Sequence, residues 1–136
     1  MIEITEDIWE LELLGVPEMD SQHAYFLTLL RKLHHCQDLA KIKSLLEDLY
    51  SCLELHCEYE EKLMNIYGYQ DSHDHASHHS QWLMSLSQMI EDTVSGVQSK
   101  NKTVLSLLTW LINHTKFEDR VAAEHILEVR KKLQDI

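Results

Sequence analysis

Residues that break helices are rare in this chain, which holds one proline and three glycines among 136 residues. A sheet protein of this length would need many tight turns, and glycine and proline supply most of them. Apolar residues instead recur every three to four positions over long stretches, the period of a helix that buries one face. The sequence therefore predicts an all-α fold, and the chain length allows one domain.

Four helical stretches follow an N-terminal arm over residues 1–18. Asp20 or Ser21 is a suitable N-cap for the first, and Gly68 and Gly96 follow the ends of the second and third. The predicted helices cover residues 20–37, 41–66, 72–95 and 102–136. Short connections place successive helices antiparallel, so the expected architecture is an up-down-up-down four-helix bundle with an N-terminal arm.

The fourth predicted helix is longer than the others. From Leu105 to Ile136 its inward positions alternate spacings of three and four, which is a heptad pattern. At ~1.5 Å per residue this helix would extend roughly 15 Å beyond the bundle. Two interpretations stay open: the arm covers the extension, or the extension dimerises or leads into an output domain of a longer protein.

Charge and composition exclude several partners. Twelve basic and twenty-three acidic side chains give a net charge of −11, which disfavours nucleic acids and anionic membrane surfaces. Apolar runs fall well short of the ~20 residues that a membrane span needs, and the acidic N-terminal segment is unlike a signal peptide. We therefore expect a cytoplasmic location. Three cysteines without paired spacing predict no disulfide framework.

The chain contains ten histidines, and five of them form a pattern with two carboxylates on the inward faces of all four predicted helices. Three helices contribute pairs spaced four, four and five residues apart. The seven residues are His23; His56 and Glu60; His75 and His79; and His114 and Asp119. Side chains four apart lie one above the other on a helix, which suits two ligands of one metal ion.

The pair His114 and Asp119 is different because positions five apart diverge by about 140° on an ideal α-helix. Asp119 would then reach toward a second metal ion, or the helix would be underwound at this point. Burying five histidines and two carboxylates without partners would be costly, so a metal centre is the better interpretation of the whole set.

The number and kind of ligands indicate the metal. Seven side chains are too many for one tetrahedral zinc ion, and imidazole with carboxylate but without thiolate is an iron-like mixture. If both carboxylates and one solvent-derived oxygen bridge two ions, an ion with three histidines is six-coordinate. The other ion, with two histidines, keeps one open position, where a diatomic ligand could bind.

These residues resemble those of the hemerythrins, particularly bacterial hemerythrin domains. The resemblance spans residues 9–119 and includes Trp9, the segment Leu14-Gly15-Val16-Pro17-Glu18-Met19-Asp20-x-Gln22-His23, His56-x-x-x-Glu60-Glu61, Tyr69, His75-x-x-x-His79, and Trp110-Leu111-x-x-His114-x-x-x-x-Asp119. It implies a hemerythrin-like fold and two iron ions (Fe²⁺/Fe³⁺) with a bridging oxo or hydroxo group that binds O2 reversibly.

The resemblance also assigns roles to the seven residues. It implies that three histidines hold the six-coordinate iron, that two hold the iron with the open position, and that the carboxylates bridge. In that order they are His75, His79 and His114; His23 and His56; and Glu60 and Asp119.

The chain departs from the family pattern around the site. A bulky apolar residue usually follows the fourth-helix histidine, where this chain has Thr115; Cys57 replaces an aromatic residue, and Tyr69-Gln70 replaces Tyr-Pro. Trp110, Leu111 and Thr115 are predicted to line the O2 pocket. A hydroxyl at position 115 would admit or position water, so we expect faster autoxidation than a carrier should show.

The leading functional hypothesis is an oxygen- or redox-sensing diiron domain, the sensory part of a larger signalling protein. An exposed pocket at Thr115 and the long fourth helix favour it. The alternative is a free-standing O2 carrier or store. A peroxide- or NO-handling enzyme is the third hypothesis, but the sequence supplies no additional acid–base residues for it. We therefore predict that the domain is not an enzyme. Its expected ligand is O2 or NO.

Overall fold

The structure, a computed structural model, describes residues 9–135. The first eight residues of the predicted arm and the last residue of the predicted fourth helix lie outside this range. The elements are α1 (Pro17–His35), α2 (Leu39–Ile66), α3 (Ser72–Val94), α4 (Lys100–Asn113), a π-helical segment (His114–Asp119) and α5 (Arg120–Gln134). The last three follow one another without interruption as the fourth helix, so the predicted all-α four-helix bundle is confirmed.

The first helix begins earlier than its apparent N-cap suggested. It starts at Pro17, whose fixed φ and missing N–H suit the first helical position. Asp20 therefore lies in the first turn, and its carboxylate accepts hydrogen bonds from the backbone N–H groups of Leu14 (2.8 Å) and Gly15 (3.1 Å) in the arm. Asp20 thus holds the arm against the helix, and Gly15 makes the turn with a φ of +85°.

Two other helices begin two residues before their predicted starts. Asp38 caps α2 by accepting from the N–H groups of Ala40 (3.0 Å) and Lys41 (3.4 Å), so this helix starts at Leu39. The hydroxyl of Ser99 accepts from the N–H of Lys102 (3.2 Å), so α4 starts at Lys100.

One half of the bundle is filled by a layer of leucine side chains from all four helices, which we call the leucine layer. Their burial removes large apolar areas from water and supplies the main stabilisation of the fold. The leucines of this layer are Leu29, Leu30, Leu33, Leu46, Leu49, Leu53, Leu86, Leu107, Leu108 and Leu111.

A smaller apolar cluster lies toward the other end of the bundle and joins the arm to the fourth helix. This arm cluster consists of Leu14, Val16, Met19, Leu63, Ala123 and Ile126. Polar contacts continue it: Arg130 pairs with Glu18 and donates to the hydroxyl of Tyr67 (2.8 Å). The arm therefore covers the apolar face of the first half of α5, as the first interpretation of the long fourth helix expected.

Among the described helices, none is long and apolar enough to cross a membrane.

Candidate metal centre

The seven candidate ligands lie together between the leucine layer and the arm cluster, and we call them the histidine layer. They come from all four helices of the bundle, and every one of them is at least 94% buried: His23, His56, Glu60, His75, His79, His114 and Asp119. The two carboxylate residues are completely buried. Helical period therefore brings together the residues that the sequence pattern selected.

The π-helical segment explains how His114 and Asp119 can both face inward. Positions five apart diverge on an α-helix, but a π-helix closes its hydrogen bonds from i to i+5 and so realigns them. The backbone N–H of Arg120 bonds to the carbonyl of Thr115, five residues earlier. Of the two sequence expectations for this spacing, the underwound helix is the one observed.

The ligand atoms fall into two overlapping groups. One contains three histidines and the other two, and both contain the same two carboxylates. All candidate ligand atoms within a group lie within 4.8 Å of one another: Glu60, His75, His79, His114 and Asp119; and His23, His56, Glu60 and Asp119. Five histidines cannot divide equally between two ions, and the structure divides them three and two around the two shared carboxylates.

Each oxygen of Glu60 faces a different group. Its Oε1 lies 2.6 Å from Nε2 of His75 and 3.3 Å from Nε2 of His79, in the three-histidine group. Its Oε2 lies 3.1 Å from Nε2 of His56, in the two-histidine group. The carboxylate therefore spans both groups.

Asp119 repeats this arrangement. Its Oδ1 lies 2.9 Å from Nε2 of His75 and 3.0 Å from Nε2 of His114, whereas its Oδ2 lies 2.9 Å from Nε2 of His23. Both carboxylates are thus placed to bridge two ions, one oxygen toward each.

The orientation of these atoms fits metal ions better than hydrogen bonds. Nε2 of His23 and of His56, Oε2 of Glu60 and both oxygens of Asp119 lack a hydrogen-bond partner of suitable geometry although they lie close to one another. Buried polar atoms without partners are costly. Donor atoms that converge without bonding to each other are what two bound cations would satisfy, so the residues fit a dimetal centre of nitrogen and oxygen ligands.

The pKa values of the histidine layer indicate which protons a metal ion would displace. Burial opposes the charged form of His23, His75 and His114, but the nearby carboxylates of Asp119 and Glu60, which favour a protonated ring, outweigh it. Their pKa values are raised to about 9, 10 and 9. His114 and His23 in turn hold the pKa of Asp119 at about 2, although its burial and the charge of Glu60 act to raise it. Without metal the layer therefore retains protons at neutral pH, which metal ions must displace.

Two histidines of the layer are held from outside by partners that differ in charge. The ring Nδ1 of His56 lies 2.7 Å from the amide Oε1 of Gln22. The ring Nδ1 of His114 lies 2.9 Å from Oε2 of Glu118, and the same oxygen lies 3.0 Å from Nδ1 of the exposed His78. Such partners orient a ligand histidine and tune its basicity.

Sequence reasoning missed the role of Glu118, although a signal for it was present. Glu118 follows His114 by four residues, the same spacing as in the pair His56 and Glu60. His78, which contacts Glu118, is half exposed.

The predicted O2-pocket residues surround the fourth-helix histidine. The ring of Trp110 stacks on that of His114 at 4.8 Å with an interplanar angle of 16°, and Leu111 is buried. Thr115 is 1% exposed, so the expectation of an exposed pocket at this position is wrong. Its Oγ1 is buried without a hydrogen-bond partner.

Solvent reaches the layer through two clefts. A cleft of about 260 Å³, which Tyr69, His78 and Glu118 help to line, reaches His75. A mainly apolar cleft of about 240 Å³ beside Gln22 and Tyr25 reaches His56. Each of the two ligand groups therefore has its own approach from the surface.

Fold and site together define a four-helix bundle with a buried centre for two metal ions. The profile of the hemerythrin HHE cation-binding domain matches residues 14–126. The chain belongs to the hemerythrin family, whose domains bind a diiron centre and O2 rather than catalyse a reaction. It is therefore a non-heme diiron oxygen-binding domain, as the resemblance implied.

Individual relatives agree with this assignment. The chain is 26% identical over 133 residues to the bacteriohemerythrins of Pseudomonas aeruginosa (strain LESB58) and Pseudomonas paraeruginosa (strain DSM 24068 / PA7), covering 95% of this chain and 85% of each relative. A crystal structure of a hemerythrin mutant superposes with a TM-score of 0.77 at 22% identity, over 93% of this chain and 98% of that one. The structural likeness supports the fold alone.

Proposed function

We propose that the seven residues of the histidine layer are the ligands of the diiron centre, in the arrangement that the two overlapping groups suggest. His75, His79 and His114 hold one iron, His23 and His56 hold the other, and Glu60 and Asp119 bridge. The unequal division of histidines between groups that share both carboxylates is the observation that carries this proposal. When bound, such an iron pair supplies two electrons to O2 reversibly.

The protein side chains prepare this site for a small apolar ligand. Leu111 and the face of Trp110 border His114, and both exclude water from that side of the layer. The apolar cleft at His56 offers O2 an approach to the two-histidine group, the one with the open position.

Thr115 supports a role in oxygen or redox sensing over one in transport. Its hydroxyl is buried one residue after His114 and has no hydrogen-bond partner in the protein. An unsatisfied buried hydroxyl costs about 1–3 kcal/mol, so we expect Thr115 to bind a water molecule. Water beside the ligand promotes oxidation of the iron pair, and a domain that oxidises within minutes reports oxygen better than it stores it.

A carrier or store is the second candidate, and the packing of the arm favours it. A connector to an output domain needs a free surface, whereas the first half of α5 is covered by the arm cluster and anchored by Arg130. Only the last turn, from Lys131 to Gln134, is exposed throughout.

Substitution of Thr115 separates these two functions. Thr115→Val removes the hydroxyl and keeps the shape of the side chain, and Thr115→Ile adds the bulk that the family pattern usually has. Iron-loaded, anaerobically reduced protein is exposed to air, and the decay of the O2-dependent absorption bands is followed. We expect decay within minutes in the wild type and at least tenfold slower decay in both variants, with Thr115→Ser as the matched control that keeps the hydroxyl.

Slow decay over many hours in the wild type would favour the carrier. Equal decay rates in the wild type and in the valine variant would show that the hydroxyl of Thr115 does not promote oxidation. If no bands appear although two iron ions are bound per chain, the O2-binding proposal itself fails.

A further inference from the structure

The two halves of the histidine layer differ in the charge of the groups that hold their ligands. The neutral amide of Gln22 lies 2.7 Å from Nδ1 of His56 in the two-histidine group. A carboxylate, that of Glu118, lies 2.9 Å from Nδ1 of His114 in the three-histidine group. The two groups therefore differ in their number of histidines and also in the charge of the side chain that contacts a ligand histidine from outside.

Glu118 lies in the π-helical segment, directly before Asp119. Underwinding turns Asp119 inward, where its oxygens face His23, His75 and His114. Glu118 lies four residues after His114, on the side of its other ring nitrogen. One helical segment thus supplies both a shared carboxylate and an outer partner for the same histidine.

A second histidine holds this carboxylate in place. Nδ1 of His78, whose side chain is 52% exposed, lies 3.0 Å from the same oxygen of Glu118 that faces His114. The carboxylate of Glu118 is therefore fixed between a buried and an exposed imidazole ring.

We propose that Glu118 is a positioning residue of the diiron centre, which orients the ring of His114 and makes the three-histidine iron the harder of the two to reduce. This inference rests on the proposed ligand set. A carboxylate that accepts the Nδ1–H of a ligand histidine raises the basicity of the ligating Nε2. Greater electron donation and a nearby negative charge both stabilise the ferric over the ferrous ion.

The site then has a built-in order of reduction. An external reductant, such as dithionite in a titration, supplies one electron to each ferric ion. The first electron goes to the iron held by His23 and His56, whose outer partner is neutral, and the second goes to the iron beside Glu118. The easier ion to reduce is also the one with the open position for O2.

A pair of nearly isosteric variants tests this order. Glu118→Gln removes the charge from the three-histidine side, and Gln22→Glu adds one on the two-histidine side. Glu124→Gln, on the exposed surface of α5, is the matched control for the loss of one negative charge. Each protein is loaded with iron, its iron content is measured, and its two one-electron reductions are followed in an anaerobic spectroelectrochemical titration.

We expect Glu118→Gln to shift the equilibrium of the second reduction about tenfold toward the ferrous ion, which is roughly 59 mV for one electron. The spacing between the two reductions then narrows. Gln22→Glu shifts the first reduction in the opposite direction, and Glu124→Gln leaves both in place. His78→Gln, which removes only the outer support of Glu118, gives a smaller shift of the same sign as Glu118→Gln.

Metal affinity provides a readout that does not involve O2 or iron redox chemistry. Competition between the protein and a chelator for Zn²⁺ should show that Glu118→Gln weakens one of two binding events by about tenfold or more, the range typical for an outer partner of a ligand. The other event should keep its wild-type affinity.

Four outcomes of these experiments support or refute the inference. Potentials and Zn²⁺ affinities of Glu118→Gln equal to those of Glu124→Gln would overturn the inference, as would a loss of folding stability in Glu118→Gln with an unchanged site. Shifts of opposite sign in Glu118→Gln and Gln22→Glu, with a smaller shift in His78→Gln and none in Glu124→Gln, would support it. A wild-type protein that binds fewer than two iron ions would refute the proposed ligand set first, and the inference with it.

Discussion

The leucine layer and the histidine layer are adjacent and about equally buried, yet they stabilise the fold under different conditions. Leucine side chains gain free energy from leaving water, whatever else is bound. The five histidines and two carboxylates leave water at a cost, and several of their atoms face one another without hydrogen bonds. The first layer makes the bundle stable, and the second makes part of that stability depend on metal.

The strongest test of this difference is removal of the metal. Ligands that bind only the folded state stabilise it by about 4 kcal/mol per site when their free concentration exceeds Kd 1,000-fold. We therefore expect the metal-free protein to unfold at a much lower temperature than the iron- or Zn²⁺-loaded protein, as measured by calorimetry. Asp119→Asn, which removes one shared carboxylate, should lose most of this gain. Equal melting temperatures with and without metal would contradict the proposed role of the layer.

A substitution in the leucine layer should act independently of metal. Leu49 is fully buried in α2, and Leu49→Ala leaves a cavity that costs about 2–5 kcal/mol. Leu49 lies seven residues before His56, roughly 10 Å along the helix axis. Sites at that distance are additive within about 0.5 kcal/mol, so we expect the same loss in the loaded and in the metal-free protein, measured by denaturant unfolding. A metal-dependent loss would show instead that the two layers form one cooperative unit.

The predictability of the two layers follows from the range of their interactions. The leucine period and the spacing of His56 with Glu60 or His75 with His79 are local patterns, and each places its side chains on one helix face. The sequence predicted the underwound turn only as one of two alternatives, because a spacing of five residues does not by itself determine the helix type. Its occurrence depends on the ligands of the other helices that surround Asp119.

The contacts of the arm could not be predicted from local patterns at all. Asp20 is a residue type that often caps helices, and it lies near the start of α1. The helix nevertheless begins at Pro17, and the carboxylate of Asp20 accepts hydrogen bonds from the backbone of the arm. Arg130 pairs with Glu18, 112 residues earlier in the chain, and His125 lies 2.7 Å from the carbonyl of Tyr67. Such pairings appear only once the helices are assembled.

The stability of the metal-free protein should depend on pH more strongly than that of the metal-loaded protein. Raised folded pKa values of about 9 to 10 for His23, His75 and His114 mean that the folded state keeps protons which the unfolded state loses above pH 6.5. The stabilisation from these protons is complete below pH 6.5 and disappears as pH rises through 9 to 10. Each proton changes the free energy of unfolding by up to about 1.4 kcal/mol per pH unit.

We therefore expect the metal-free protein to lose stability steadily between pH 7 and pH 8.5, whereas the Zn²⁺-loaded protein, whose histidines have already given up their protons, stays level. The measurement is the melting temperature of both forms across this range. Parallel curves for the two forms would show that the histidine layer does not hold these protons in the folded state.

The smallest effect concerns an ion pair outside both layers, and it tests whether polar character alone gives metal dependence. Glu18 and Arg130 join the start of α1 to α5, with about a third of each side chain exposed. Exposed pairs contribute about 0.2–1 kcal/mol, so Glu18→Gln should lower the free energy of unfolding by that amount at pH 7, with or without metal.

The hydrogen bond with Arg130 lowers the pKa of Glu18 below 4.5. The contribution is therefore present above pH 4.5 and is lost as pH falls through the lowered value, where wild type and variant should become equally stable. A metal-dependent loss at pH 7 would place the arm within the metal-sensitive part of the molecule. A loss that is the same in both forms would confine that sensitivity to the histidine layer.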